Sequence, residues 1–140
     1  MSKVKLAGID RIVKNLNKTV IISKDEENKD KRFNIQVGIL DVQGNIVNGI
    51  TCENAIRGLI ICSNYYLTSE EISEEVKNYK SKFEKLIRHG AMVKIKKFHN
   101  DGIHLALNLD GKDKYNFYGK NVIELIKKAE EYRFLVSHSL

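Results

Sequence analysis

An α+β fold is predicted for this chain of 140 residues by three observations. Apolar residues recur at helical spacing in four segments, alternate with polar residues in shorter ones, and the alternating segments are separated by glycine-, asparagine- and aspartate-bearing turns. The expected architecture is an antiparallel sheet, or sheets, covered by helices, one form of it being two pseudo-symmetric halves that each read helix, three strands, helix.

In chain order, Leu6, Ile9, Ile12, Val13 and Leu16 place a first helix over residues 6–16, with Asn15 and Asn17 helping to end it. Residues 18–23 are rich in β-branched side chains and read as a strand. The charged segment 24–32 has nothing to bury and reads as a mobile loop. Phe33, Ile35, Val37 and Ile39 alternate with polar or small residues, and a turn containing Gly44 leads back through residues 46–50 as a hairpin partner. Thr51 is the expected cap of a second helix that carries Cys52, Ala55, Ile56, Leu59 and Ile60 on one face. Gly58 inside it either lowers helix stability by about 1 kcal/mol or lets a neighbour approach closely.

The best specified segment is 68–90. Thr68 and Glu71 form a capping box, Leu67 and Ile72 a hydrophobic staple, and Gly90 is the expected stop. Ile72, Val76, Tyr79, Phe83 and Leu86 mark the buried stripe, while Glu70, Glu71, Glu74 and Glu75 are assigned to the charged face. A strand over 92–98 follows, then a turn at Asn100, Asp101 and Gly102. Ile103, Leu105, Leu107 and Leu109 share one face of the next strand, and Tyr115 and Phe117 mark the last. Asn121 caps a final helix with Glu124 at the capping-box position, and residues 137–140 are expected to fray.

The two halves, 1–67 and 68–140, align at offsets of 67 to 68 residues, with Asn54-Ala55-Ile56 matching Asn121-Val122-Ile123. Either each half packs its own sheet face about a pseudo-two-fold axis, or all strands form one antiparallel sheet with helices on one side. In both cases the chain reads as a single domain.

Composition bounds the function. Apolar residues are 42% and charged residues 30%, too apolar for disorder, and no apolar run approaches the ~18 residues of a membrane span. Without a leader-like segment after Met1 the expected location is cytoplasmic, with no membrane partner. Cys52 and Cys62 read as buried thiols, and neither they nor the four histidines have metal-ligand spacing. No phosphate-cradling glycine loop occurs, so no metal or other cofactor is expected.

Charge is the strongest clue. From Lys77 to His99 eight cations face one carboxylate, giving +7, whereas the whole chain carries +6, so the rest amounts to −1. Lys77, Lys80, Lys85 and Arg88 lie on the long helix; Lys94, Lys96, Lys97 and Phe98 lie on the strand after it. Lys94, Lys96 and Phe98 fall on one side of that strand, and His104 and Asn108 extend that side onto the next. Cations beside an aromatic ring on a sheet face suit phosphates and a stacked base. The leading expectation is therefore a non-enzymatic binder of nucleic acid, single-stranded DNA or RNA before duplex.

Three other readings stay open. The basic patch suits an acidic protein surface, as in the small interaction or inhibitor modules that viral, phage and mobile-element genomes encode. Arg57, Tyr65 and Tyr66 could line a nucleotide pocket. His99 and His104 are the one pair offering metal-free acid–base nuclease chemistry. Homodimerisation is open as well.

The element order of residues 68–136 resembles that of a double-stranded RNA-binding domain, but the lysine cluster expected at the last helix is reduced to Lys120. The tandem strand-rich halves closed by helices resemble PUR-type and Whirly single-strand binders in architecture. No family assignment follows from either.

Overall fold

The computed structural model describes residues 8–25, 27, 32, 34–99, 102–109 and 113–138, the side chains of 89, 113 and 135–138 excepted. Helix α1 (Gly8–Leu16) precedes strands β1 (Thr19–Lys24), β2 (Ile35–Leu40) and β3 (Ile46–Cys52), then α2 (Ala55–Ser63) and α3 (Ser69–Leu86). Strands β4 (Met92–Phe98), β5 (Gly102–Leu109) and β6 (Asp113–Gly119) follow, and α4 (Val122–His138) closes the order. The fold is α+β, with every strand in one antiparallel sheet of order β3-β2-β1-β4-β5-β6. Each half supplies a three-strand meander, and the first strands of the two halves, β1 and β4, pair at the centre.

The register sorts the side chains. Ile50, Val37, Ile22, Val93, Leu107 and Tyr115 lie side by side across all six strands, and Ile39, Val20, Ile95, Leu105 and Phe117 form a second such row. Apart from Tyr115, which packs on Tyr132, these rows and the apolar stripes of all four helices make one contiguous core. Each fully buried aliphatic in it contributes about 1.5–3 kcal/mol. The helices thus occupy one face of the sheet, and among the described residues no helix covers the other.

Local signals act largely where the sequence places them. Thr68 and Glu71 form the capping box at the start of α3, and Leu67 is buried. Asn17 takes the left-handed conformation just after α1, and Gly44 takes it in the β2–β3 turn, where the Asp41 carboxylate accepts from Gln43 N–H and Asn45 N–H. Asn121 Oδ1 accepts from Glu124 N–H at 3.0 Å, capping α4.

Several boundaries differ from expectation. Thr51 is not a cap: β3 runs on through Cys52, which pairs with Ile35, and Asn54 starts α2 by accepting from Arg57 N–H at 2.9 Å. Asparagine beats threonine as a cap, and continued pairing keeps residues 50–52 in the sheet. Gly90 has a left-handed φ of 79°, but it ends a 3-10 turn, Arg88–Gly90, because α3 proper stops at Leu86. Residues 137 and 138 belong to α4 rather than a frayed tail. Phe33, Asn100 and Asp101, and most of the charged 24–32 loop, lie outside the described residues.

Glu75, assigned to the charged face, is instead 4% exposed. It lies three residues after Ile72 and four before Tyr79, both on the apolar stripe, so helix geometry turns it inward. Its Oε1 accepts from Gly8 N–H at 2.7 Å and so caps α1 from a different helix. Asp10, equally buried, repeats the device by accepting from Val122 N–H at 2.7 Å at the start of α4. The Arg133 guanidinium of α4 then donates to Leu86 O and, at 2.6 Å, to Arg88 O at the end of α3. Helix α3 caps α1, α1 caps α4, and α4 caps α3. Burial pushes both carboxyls above their ordinary range, while the backbone N–H donors pull in the opposite direction.

Gly58 permits close packing. A methyl group there would sit 2.6 Å from Val37 Cγ2, so α2 rests directly on β2. Gly58→Ala is expected to cost about 1–3 kcal/mol by overpacking, read as a lower urea midpoint; an unchanged midpoint contradicts the close approach. Glu75→Ala strands the α1 donors and costs about 1–3 kcal/mol in the same assay. Burial raises the Glu75 pKa on folding despite the N–H donors, so proton binding favours the folded state, and the stability this adds is fully present below 4.5 and is lost as pH rises through the raised folded value. The stability of wild type relative to Glu75→Gln should fall as pH rises from about 4.5 through the raised folded value. A difference that grows with pH contradicts this assignment.

Candidate nucleic-acid interface

The uncovered sheet face is built by the alternate residues of the same strands. Lys94 lies opposite Ala106, Lys96 opposite His104 and Phe98 opposite Gly102, so the strand β4 trio projects from one side together with His104 and Asn108 of β5. Strand β6 extends the face with Lys114, Asn116 and Tyr118, opposite Asn108, Ala106 and His104 respectively. Gly102 is required at its place, since an added Cβ would stand 2.6 Å from Phe98 O.

The rings form a connected platform. His104 stacks on Tyr118 with centroids 4.7 Å apart and planes at 17°, and Phe98 meets Tyr118 at 4.8 Å. Tyr118 is half exposed, so part of its ring remains open to solvent. His104 Nε2 lies 2.8 Å from Asn116 Oδ1, and in the Nε2–H tautomer the ring donates this bond. Desolvation, helped by Lys96 and Lys114, lowers the His104 pKa against the opposing pull of Asn116, and so favours the neutral ring.

Beside the platform the face is hollow. The β2–β3 turn forms the wall of a depression of about 200 Å³ that Lys94, Lys96, His104 and Lys114 also line. Lys96 and Lys97 border a neighbouring hollow of about 300 Å³ with Lys18. The register shift between Ile39 and Leu40 is a bulge next to this turn.

The eight residues expected to act together divide. Lys94, Lys96 and Phe98 share the open face, and Lys97, on the opposite side of its strand, reaches only its border. Lys77, Lys80, Lys85 and Arg88 are exposed on α3 and the turn after it, within the helix layer, so the sheet separates them from the open face. Arg57, Tyr65 and Tyr66 are not gathered into any hollow described above. Arg57 pairs with Glu53 at 2.9 Å, Tyr65 packs against the core, and Tyr66 is 83% exposed. His99 and His104 each pack against Phe98, at 4.1 and 6.5 Å.

Lys114, Asn116 and Tyr118 escaped the sequence reading although they alternate with the anticipated Tyr115 and Phe117. Those two rings face the helices and meet Tyr132 of α4 at 4.4 and 6.1 Å. That alternation alone sends 114, 116 and 118 to the outer face.

Among the described residues no group of three metal-ligating side chains gathers, and no helix is long and apolar enough to cross a membrane. No protein-family model, curated protein or solved structure matches the chain.

His104 is expected to titrate below 6.5 by NMR, and Lys96→Glu should raise its pKa by replacing a neighbouring cation with an anion. Titration at or above 6.5 in the wild type contradicts the packed platform.

Proposed function

We propose that this protein binds single-stranded nucleic acid on the open face of its sheet, as a binding protein that carries out no reaction on the strand. The observation that carries the reading is the placement of Lys94, Lys96 and Lys114 beside an exposed aromatic platform on a face that no helix covers among the described residues. The lysines supply phosphate contacts and Tyr118, backed by His104 and Phe98, supplies a stacking surface. A broad, shallow face also suits unpaired bases better than a rigid duplex, whose bases are already stacked.

The cations of α3 support a separate reading. Lys77, Lys80, Lys85 and Arg88 lie away from any aromatic platform, and such a solvated helix face fits an acidic protein surface. In the account proposed here they are secondary, raising the general attraction for a polyanion without touching the bases.

Fluorescence anisotropy with labelled single strands and duplex, titrated with salt, tests the proposal. Single strands should bind more tightly than duplex of the same length. Lys94→Glu combined with Lys96→Glu should weaken binding and reduce the slope of log K against log salt by about one to two. Tyr118→Ala should cost about 1–3 kcal/mol with the slope unchanged, because stacking releases no counterions. Affinity and slope untouched by the double variant would refute the open face as the binding surface.

A further inference from the structure

A further hollow lies on the same open face, across β1, β2 and β3, and is not part of the basic platform. It has a volume of about 500 Å³, and its lining is mainly apolar. Ile21, Ile46 and Met92 form its walls, while Ser23, Gln36 and Thr51 bring hydroxyl and amide groups to it. Ile46 is 66% exposed there, a large aliphatic left in water at a strand edge.

The hollow exists because Gly38 and Gly49 lie directly opposite each other on β2 and β3. Neither has a left-handed φ, so backbone conformation does not demand glycine at either place. At Gly49 an added Cβ would make only ordinary contacts, the nearest at 3.6 Å to Ile46 Cγ2 and Val37 O. The fold therefore accepts a side chain at 49, and its lack leaves the sheet backbone bare as a flat floor. A bare strand backbone is a place where a planar group can approach closely.

Register joins this floor to the basic half. Gly49, Gly38, Ile21, Lys94, Ala106 and Asn116 form one row across the sheet. Lys94 thus lies in line with the hollow, two strands from Gly38, and the aromatic platform lies beyond it. With strands ~4.8 Å apart, the gap between β2 and β3 is roughly 19 Å from the gap between β5 and β6. That span matches a single strand of about four nucleotides.

Resting on the single-strand reading above, we propose that the hollow floored by Gly38 and Gly49 is a second base-binding subsite, so that one strand runs across the sheet with a base at each end and a phosphate on Lys94 between them. The occupant is a nucleobase because its two faces are apolar, its edge carries hydrogen-bonding groups that Ser23, Gln36 and Thr51 can meet, and its chain bears the charge that Lys94 and Lys96 complement. A second copy of the protein in the hollow would instead bring like-charged lysines together.

The test is anisotropy with single strands of about two, four and eight nucleotides. Wild-type affinity should rise steeply from two to four, where both subsites become reachable, and then level off. Gly49→Val fills the hollow with a residue suited to a strand, and Ile46→Ser removes an exposed wall whose loss does not disturb the core. Both should weaken binding of the four-nucleotide strand about tenfold and leave the two-nucleotide strand unchanged. Thermal melting of both variants establishes that each is folded. Full affinity for the four-nucleotide strand in both folded variants, with Lys94→Glu and Lys96→Glu still disruptive, would overturn the second subsite and leave the open-face reading standing. If the lysine variant also binds normally, both fall. Loss of self-association rather than of strand binding in Gly49→Val would overturn the subsite as well.

Discussion

The closed ring of helix-end contacts is the constraint from which the rest of the structure follows. Glu75 of α3 holds the start of α1, Asp10 of α1 holds the start of α4, and Arg133 of α4 holds the end of α3. Each contact satisfies backbone groups that a helix leaves open at its ends, and each places a charge where the helix dipole favours it. Buried carboxylates are costly, as the raised pKa values of Glu75 and Asp10 record, yet removing one partner leaves stranded donors in the core. The first two contacts span 67 and 112 residues of sequence and tie the two halves of the chain together, while the third, spanning 47, lies within the second half.

With α1, α3 and α4 locked to one another in this way and α2 packed on β2, the helices form a single layer on one side of the sheet. The opposite side is then left for side chains that the core cannot take. Strand alternation fills it with Lys94, Lys96, Lys114, His104, Asn116 and Tyr118 toward one edge and with a shallow apolar floor toward the other. Neither the stability of the fold nor its topology calls for a half-exposed tyrosine stacked on a histidine between lysines. That exposed ring and the cations around it are the basis of the proposed function.

Much of this was legible in the sequence because it is local. The capping box at Thr68, the Asp41 turn and the inward rows of β2, β4 and β5 all arise from residues within a few positions of one another. The offset that matched Asn54 with Asn121 is matched by two caps of the same kind. What escaped depends on distant partners. Glu75 resembles any acidic residue in a first turn until Gly8 arrives beside it, and Thr51 resembles a cap until Gln36 pairs with it. A charge window cannot show which side of a sheet its members take, so the α3 cations and the β4 cations looked like one patch. Lys114 and Tyr118 join the site only through pairing of β6 with β5.

The separation of those two sets of cations is the central claim that a single experiment reaches most directly. Amide NMR spectra recorded during titration with a short single strand should show the largest shifts at Lys94, Lys96, His104, Asn116 and Tyr118, and little change at Lys77, Lys80 and Lys85. Shifts concentrated on α3, with the open face silent, would contradict the account and move the binding surface to the helix layer.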